Sequence, residues 1–140
     1  MNFLTQWKWE LSSPVAGILL TLSFAPFNEA YLAPLSLVFV FYSWRGISPR
    51  RALLRGFLFG LGLFGLGVSW VYISIHDYGK ASFIGAGLLT AFFVFFWALF
   101  PALTAYLAVK LNYLNKPYRR ALFVSSLWIL IEYFRGYLLL

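Results

Sequence analysis

From residue 81 to residue 109 no side chain carries a charge. About 20 apolar residues in a helix suffice to cross the hydrocarbon core of a bilayer. In lipid every backbone amide and carbonyl needs an internal partner, and a single segment satisfies that condition only as a helix. This stretch therefore dictates a membrane helix, and it sets the terms for the rest of the chain. Further apolar runs lie at 11–24, 31–44, 52–75 and 121–140. The predicted fold class is all-α: a polytopic transmembrane helical bundle of about five helices, one domain over 1–140. Composition agrees. Of the 140 residues 62% are hydrophobic and 11% charged, whereas about a quarter of a soluble domain is charged. A soluble enzyme, a disordered tail and a disulfide-rich secreted module are excluded. The sequence has no cysteine, hence no thiol nucleophile, thiolate metal site or lipidated cysteine within it.

Local signals mark the turns. Ser12, Ser13 and Pro14 read as a helix start. Pro26 with Asn28 reads as a turn, and Pro34 sits in the first turn of the second span. The run 15–24 has the length of a signal-peptide core. Pro26-Phe27-Asn28-Glu29 is a poor cleavage site, so the segment is expected to be retained. The spans 11–24 and 31–44 are short and predict a tight helical hairpin. Pro101 predicts a kink in the fourth span.

The net charge of +7 does not point to nucleic acid, because the basic residues sit between the apolar runs. Lys8, Arg45, Arg50, Arg51, Arg55, Lys110, Lys116, Arg119 and Arg120 fall on one side of the predicted bundle. The opposite loops hold Glu29, Asp77 and one base, Lys80. By the positive-inside rule the N-terminus is expected in the cytoplasm.

Three constellations stand out. The third span carries Gly56, Gly60, Gly62, Gly65 and Gly67. Gly56, Gly60 and Gly67 read as a small-residue face for helix packing. Its far end carries Trp70, Tyr72 and Tyr78 as an interfacial belt, with His76-Asp77 as a hydrated helix-end pair. A metal site is not expected from one histidine and no cysteine, and no cofactor is implied. In the fifth span Ser125, Trp128, Glu132 and Arg135 recur at helical spacing on one face. A carboxylate near mid-bilayer is costly and Arg135 is its natural partner. The pair reads as a structural lock or as a polar spot in a lipid or substrate groove.

Several blocks, in order, resemble a known family. They are Leu22-Ser23-Phe24-Ala25-Pro26-Phe27, Gly56-Phe57-Leu58-Phe59-Gly60-Leu61-Gly62-Leu63-Phe64-Gly65, and Val68-Ser69-Trp70-Val71-Tyr72-Ile73-Ser74-Ile75. Leu127-Trp128 and Glu132-Tyr133-Phe134-Arg135-Gly136-Tyr137 follow. Together they resemble the N-terminal membrane region of bacterial apolipoprotein N-acyltransferase. The resemblance implies an inner-membrane enzyme of lipoprotein maturation. Such an enzyme moves an acyl chain from a membrane phospholipid to the N-terminal cysteine of a lipoprotein substrate, through a thioester on an enzyme cysteine. The chemistry is implied to reside in a C-terminal nitrilase-like domain with a Glu–Lys–Cys triad. That domain is absent from residues 1–140, so no catalytic residue carries over, and Glu132 matches a membrane-helix motif rather than the triad. Trp70, Tyr72, Trp128, Glu132 and Arg135 are candidates for lining or bracing the lipid or substrate groove. The chain is expected to be the membrane part of such an enzyme and inactive alone. The alternative is a free-standing, non-catalytic membrane protein that binds lipid or a partner subunit. A transporter gated by Glu132 and Arg135 lacks the paired broken helices that would support it.

Overall fold

A computed structural model describes residues 3–24, 27–111 and 116–138. Six α-helices account for most of them: α1 (Phe3–Leu22), α2 (Leu32–Ser43), α3 (Pro49–Gly67), α4 (Trp70–Ile73), α5 (Phe83–Lys110) and α6 (Pro117–Leu138). A π-helical turn (Ser74–Tyr78) extends α4. The described residues contain no strand, in keeping with the predicted all-α class. By length and composition α5 and α6 can each cross a membrane. The pair formed by α3 and the segment Trp70–Tyr78 passes the same test as one span bent by 50°. The 28 residues of α5 reach about 42 Å at about 1.5 Å each.

Six helices replace the expected five because the third run is broken. Gly65 and Gly67 weaken the helix by their backbone freedom. After them Val68 leaves helical geometry (φ −115°, ψ 20°), and Ser69 Oγ turns back to donate to the Leu66 carbonyl at 3.0 Å. The chain then re-enters a helix in a new direction.

α1 departs from expectation at its other end. Ser12, Ser13 and Pro14 lie inside it rather than at its start. Both serine hydroxyls donate to the Trp9 carbonyl, at 3.0 and 2.9 Å. Pro14 leaves the next carbonyl, that of Glu10, without an N–H donor, so the serine bonds brace the turn before it rather than replace the lost bond. The segment before the serines is helical because it packs: Trp9 meets the rings of Phe39 and Tyr42 of α2 at 5.3 and 5.8 Å. The turn expected at Pro26 lies outside the described residues, but Asn28 beyond it adopts φ 57°, a left-handed conformation that asparagine tolerates. α5 runs unbroken through Pro101. The last two residues of the predicted fifth span, Leu139 and Leu140, also lie outside the described residues.

α3 is the centre of the bundle, packed along α1 on one side and α5 on the other. Its glycines serve both contacts. A Cβ on Gly56 would stand 2.5 Å from the Pro101 carbonyl oxygen, and one on Gly60 2.7 Å from Ala98 Cα. Opposite them on α5 runs a stripe of small residues: Ala98, Pro101, Ala102 and Ala105, spaced by three, one and three. On the other side Gly62 faces the Pro14 carbonyl and Gly17 faces the Phe59 carbonyl, with no room for a Cβ at either. Between helices in lipid there is no hydrophobic drive, so close backbone approach and dispersion must supply the attraction. Hydroxyls add to it. Thr21 Oγ1 donates to the Leu63 carbonyl at 2.8 Å, and Ser36 Oγ to the Ala16 carbonyl at 2.5 Å. The first ties α1 to α3 and the second ties α2 to α1. Many large apolar side chains point outward, among them Leu88, Phe92 and Ile129. That is the surface expected of a protein solvated by lipid.

Candidate functional site

The residues predicted on α6 come to lie against three other helices. Trp128 meets Phe41 of α2 and Phe59 of α3 edge-on, at 5.8 and 5.9 Å between ring centroids. One turn on, Glu132 borders Phe100, Pro101 and Thr104 of α5. Glu132 Oε2 accepts from Arg135 Nη2 at 2.5 Å, the i,i+3 pairing that helical spacing allows.

Arg135 is held from a second direction. Its guanidinium lies 4.7 Å from the ring centroid of Trp97 on α5 and 5.4 Å from that of Phe64 on α3. An aromatic face attracts a cation through its quadrupole, and more strongly where water is thin. Arg135 Nε is buried without a hydrogen-bond partner among the described residues, as is Trp97 Nε1. The carboxylate and the two rings thus share one cation between α3, α5 and α6. Ser125 lies away from this clamp, in a groove between α2 and α6.

Trp70 and Tyr72 sit elsewhere, on α4. Trp70 is exposed and lines a cavity of about 440 Å³ with Thr21, Phe24, Phe27, Phe64 and Val68. Tyr72 stacks on His76 at 5.6 Å and meets Phe83 edge-on at 6.0 Å. His76 Nδ1 and Asp77 Oδ1 are 2.7 Å apart at an exposed position. Trp70 and Tyr72 thus belong to a different group of residues from the Arg135 clamp. Phe64 connects the two, since it lines the Trp70 cavity and also carries Arg135 on its ring. Of the predicted packing glycines, Gly56 and Gly60 face α5. Gly67 faces Thr21 of α1, at ordinary van der Waals distance.

The sequence reading missed Phe64, Trp97, Gly17 and Gly62 as partners. Phe64 and Trp97 looked like two more aromatics among many, and nothing in their spacing relative to Arg135 reveals an interhelical contact. Gly62 was visible inside the glycine run. Its facing partner Gly17, in a span read as beginning at Leu11, was not.

The geometry defines a bundle of apolar helices, two or three of them able to cross a membrane, with a cation clamp where α3, α5 and α6 meet and a cavity at the end away from the basic loops. The comparisons go further. Residues 16–140 match the family model for the apolipoprotein N-acyltransferase N-terminal domain. The chain is 48% identical over 131 residues to the apolipoprotein N-acyltransferase of Methylococcus capsulatus, covering 94% of this chain and 26% of that protein. It is 43% identical to that of Azotobacter vinelandii, covering 99% of this chain and 28% of that one. Against Pseudomonas syringae pv. tomato the identity is 41%, with 99% and 28% covered. The chain therefore belongs to the apolipoprotein N-acyltransferase family and corresponds to its N-terminal domain. It spans about a quarter of the length of these relatives.

Proposed function

We propose that this chain is the membrane-embedded N-terminal part of an apolipoprotein N-acyltransferase of the bacterial inner membrane. In this role it positions phospholipid and lipoprotein acyl chains for transfer chemistry carried out by a further, nitrilase-like part. The single observation that carries the reading is the family match over nearly the whole chain.

Several features support the division of labour. The sequence offers no cysteine to carry an acyl thioester, so the chain is inactive alone. The cavity beside Trp70 is walled by Phe24, Phe27, Phe64 and Val68, and it opens at the end away from the basic clusters. With the N-terminus in the cytoplasm, that end faces outward and can receive an acyl chain laterally from the bilayer. Holding two lipid-anchored reactants in register turns a bimolecular encounter into a positioning problem. Glu132 and Arg135 brace this wall through Phe64, while Trp128 anchors α6 to α2 and α3. Gly67 lets α3 lie close to Thr21 of α1 at the cavity, while Gly56 and Gly60 seat α3 against α5.

A chimaera tests the proposal. This chain replaces the N-terminal quarter of the Methylococcus capsulatus relative, and acyl transfer from phospholipid to a diacylglyceryl lipopeptide is measured. The chimaera is expected to transfer, and the isolated chain is not. A folded, membrane-inserted chimaera without transfer, or robust transfer by the isolated chain, overturns the reading.

A further inference from the structure

Few side chains hold α6 to the bundle. Of its 22 residues only Val124 is buried by the described residues, against eight of the 19 in α3. Its neighbour α2 meets it through the ring of Phe41, 5.8 Å from that of Trp128. Toward the start of α6 a groove of about 410 Å³ opens between the two helices.

The two walls of this groove have the same spacing. The α2 wall begins at Pro34 and recurs after three, four, seven and eight residues, as far as Tyr42. The α6 wall begins at Pro117 and recurs at the same intervals, as far as Ser125. That is the pattern by which a helix presents one face to a packing partner. Here the two faces border a groove rather than each other. Each wall runs for about 12 Å, at 1.5 Å per residue.

Ser125 says what chemistry suits the groove. Hydroxyls between helices in this bundle donate across the contact, Thr21 to the Leu63 carbonyl and Ser36 to the Ala16 carbonyl. Ser125 lines the groove, and its hydroxyl has no hydrogen bond among the described residues. An acyl chain offers it no acceptor, and a hydroxyl without a partner in hydrocarbon is costly. A helix laid along the groove offers apolar side chains to Leu37, Phe41 and Val124, and a backbone carbonyl to Ser125.

The relatives point to the source of such a helix. This chain matches their N-terminal domain and covers about a quarter of their length, so most of each relative lies beyond the matched region. We propose that the groove between α2 and α6 seats an apolar membrane helix supplied by that further part, with Ser125 donating to one of its carbonyls. The inference rests on family membership and not on the acyl-transfer reading.

The chimaera with the Methylococcus capsulatus relative tests it, with a protease site inserted at the junction. The photocrosslinker p-benzoylphenylalanine replaces Ala121 or Ser125 in the groove, or Leu130, an exposed residue of α6 outside it. After irradiation in membranes and cleavage, only crosslinked chimaera keeps its full length. The two groove positions should retain several-fold more than Leu130, and peptide mapping should place their adducts in an apolar stretch of the further part. No excess over Leu130 overturns the proposal. An adduct of twice the chimaera's mass assigns the groove to a second copy, an adduct with phospholipid assigns it to lipid, and an adduct in a polar stretch assigns it to a water-facing part. Each of these overturns it. Crosslinking is read without acyl transfer, so an active chimaera lacking the groove adduct overturns this inference alone. A groove adduct in an inactive chimaera upholds it while the acyl-transfer reading fails.

Discussion

The guanidinium of Arg135 lies 4.7 Å from the ring centroid of Trp97, so a cation on α6 rests on an aromatic face of α5 while Glu132 holds it from its own helix. The two contacts are of different kinds and should separate on mutation. Arg135→Leu leaves the Glu132 carboxylate without its partner. It is expected to cost about 1–3 kcal/mol, below the full value for a buried pair because both side chains keep some exposure. Arg135→Lys keeps the charge and loses the planar stack, and Trp97→Leu removes one ring at about 1 kcal/mol. Thermal unfolding in detergent gives the order: Arg135→Leu the most destabilised, the other two milder. Equal stability of Arg135→Leu and the unsubstituted chain would show that the clamp contributes nothing.

The glycines of α3 differ in what lies against them. Gly62 meets the Pro14 carbonyl and Gly60 meets Ala98, whereas Gly65 has nothing within 4 Å. Gly62→Leu and Gly60→Leu are expected to force helices apart and to reduce the folded yield sharply. Gly65→Ala should stay within about 0.5 kcal/mol of the parent, as surface substitutions do. Size-exclusion profiles and melting curves of the three variants distinguish these outcomes.

Thr21 Oγ1 joins α1 to α3 through the Leu63 carbonyl. Thr21→Val keeps the shape and removes the donor. The expected loss is about 0.6 kcal/mol and at most about 1.7 kcal/mol, as for interhelical hydrogen bonds in membranes generally. Thr21→Ser retains a hydroxyl and should recover part of it. A Thr21→Val melting curve that overlays the parent would show that the Leu63 carbonyl gains nothing from the bond.

Charge asymmetry implies orientation. A reporter fused after Lys80 is expected on the outer side of the membrane and one fused after Lys116 on the cytoplasmic side. Two reporters on the same side would refute the proposed topology.

Helical class, the membrane setting and the approximate positions of the apolar runs were all legible in the sequence. They depend on hydropathy and on the rule that backbone groups in lipid must pair within the segment. The Glu132–Arg135 pair was equally legible, because residues three apart on one helix are neighbours whatever surrounds them. The start of α1 was not. Ser12-Ser13-Pro14 looks like a helix start, and only the packing of Trp9 on Phe39 and Tyr42 shows that the helix begins further upstream.

Sequence alone thus determined the contacts within each helix and the sign of the charge at each end, since both follow from spacing along one chain. Tertiary structure decided which residues meet across helices: Arg135 with Trp97 and Phe64, Gly62 with Pro14, and Leu37 with Val124 across one groove. It also decided that the third apolar run bends by 50° after Gly67 rather than crossing straight. The physical reason is that helix rotation and approach are set by where two surfaces fit most closely. Such a fit is a joint property of two segments and is written in neither of them separately.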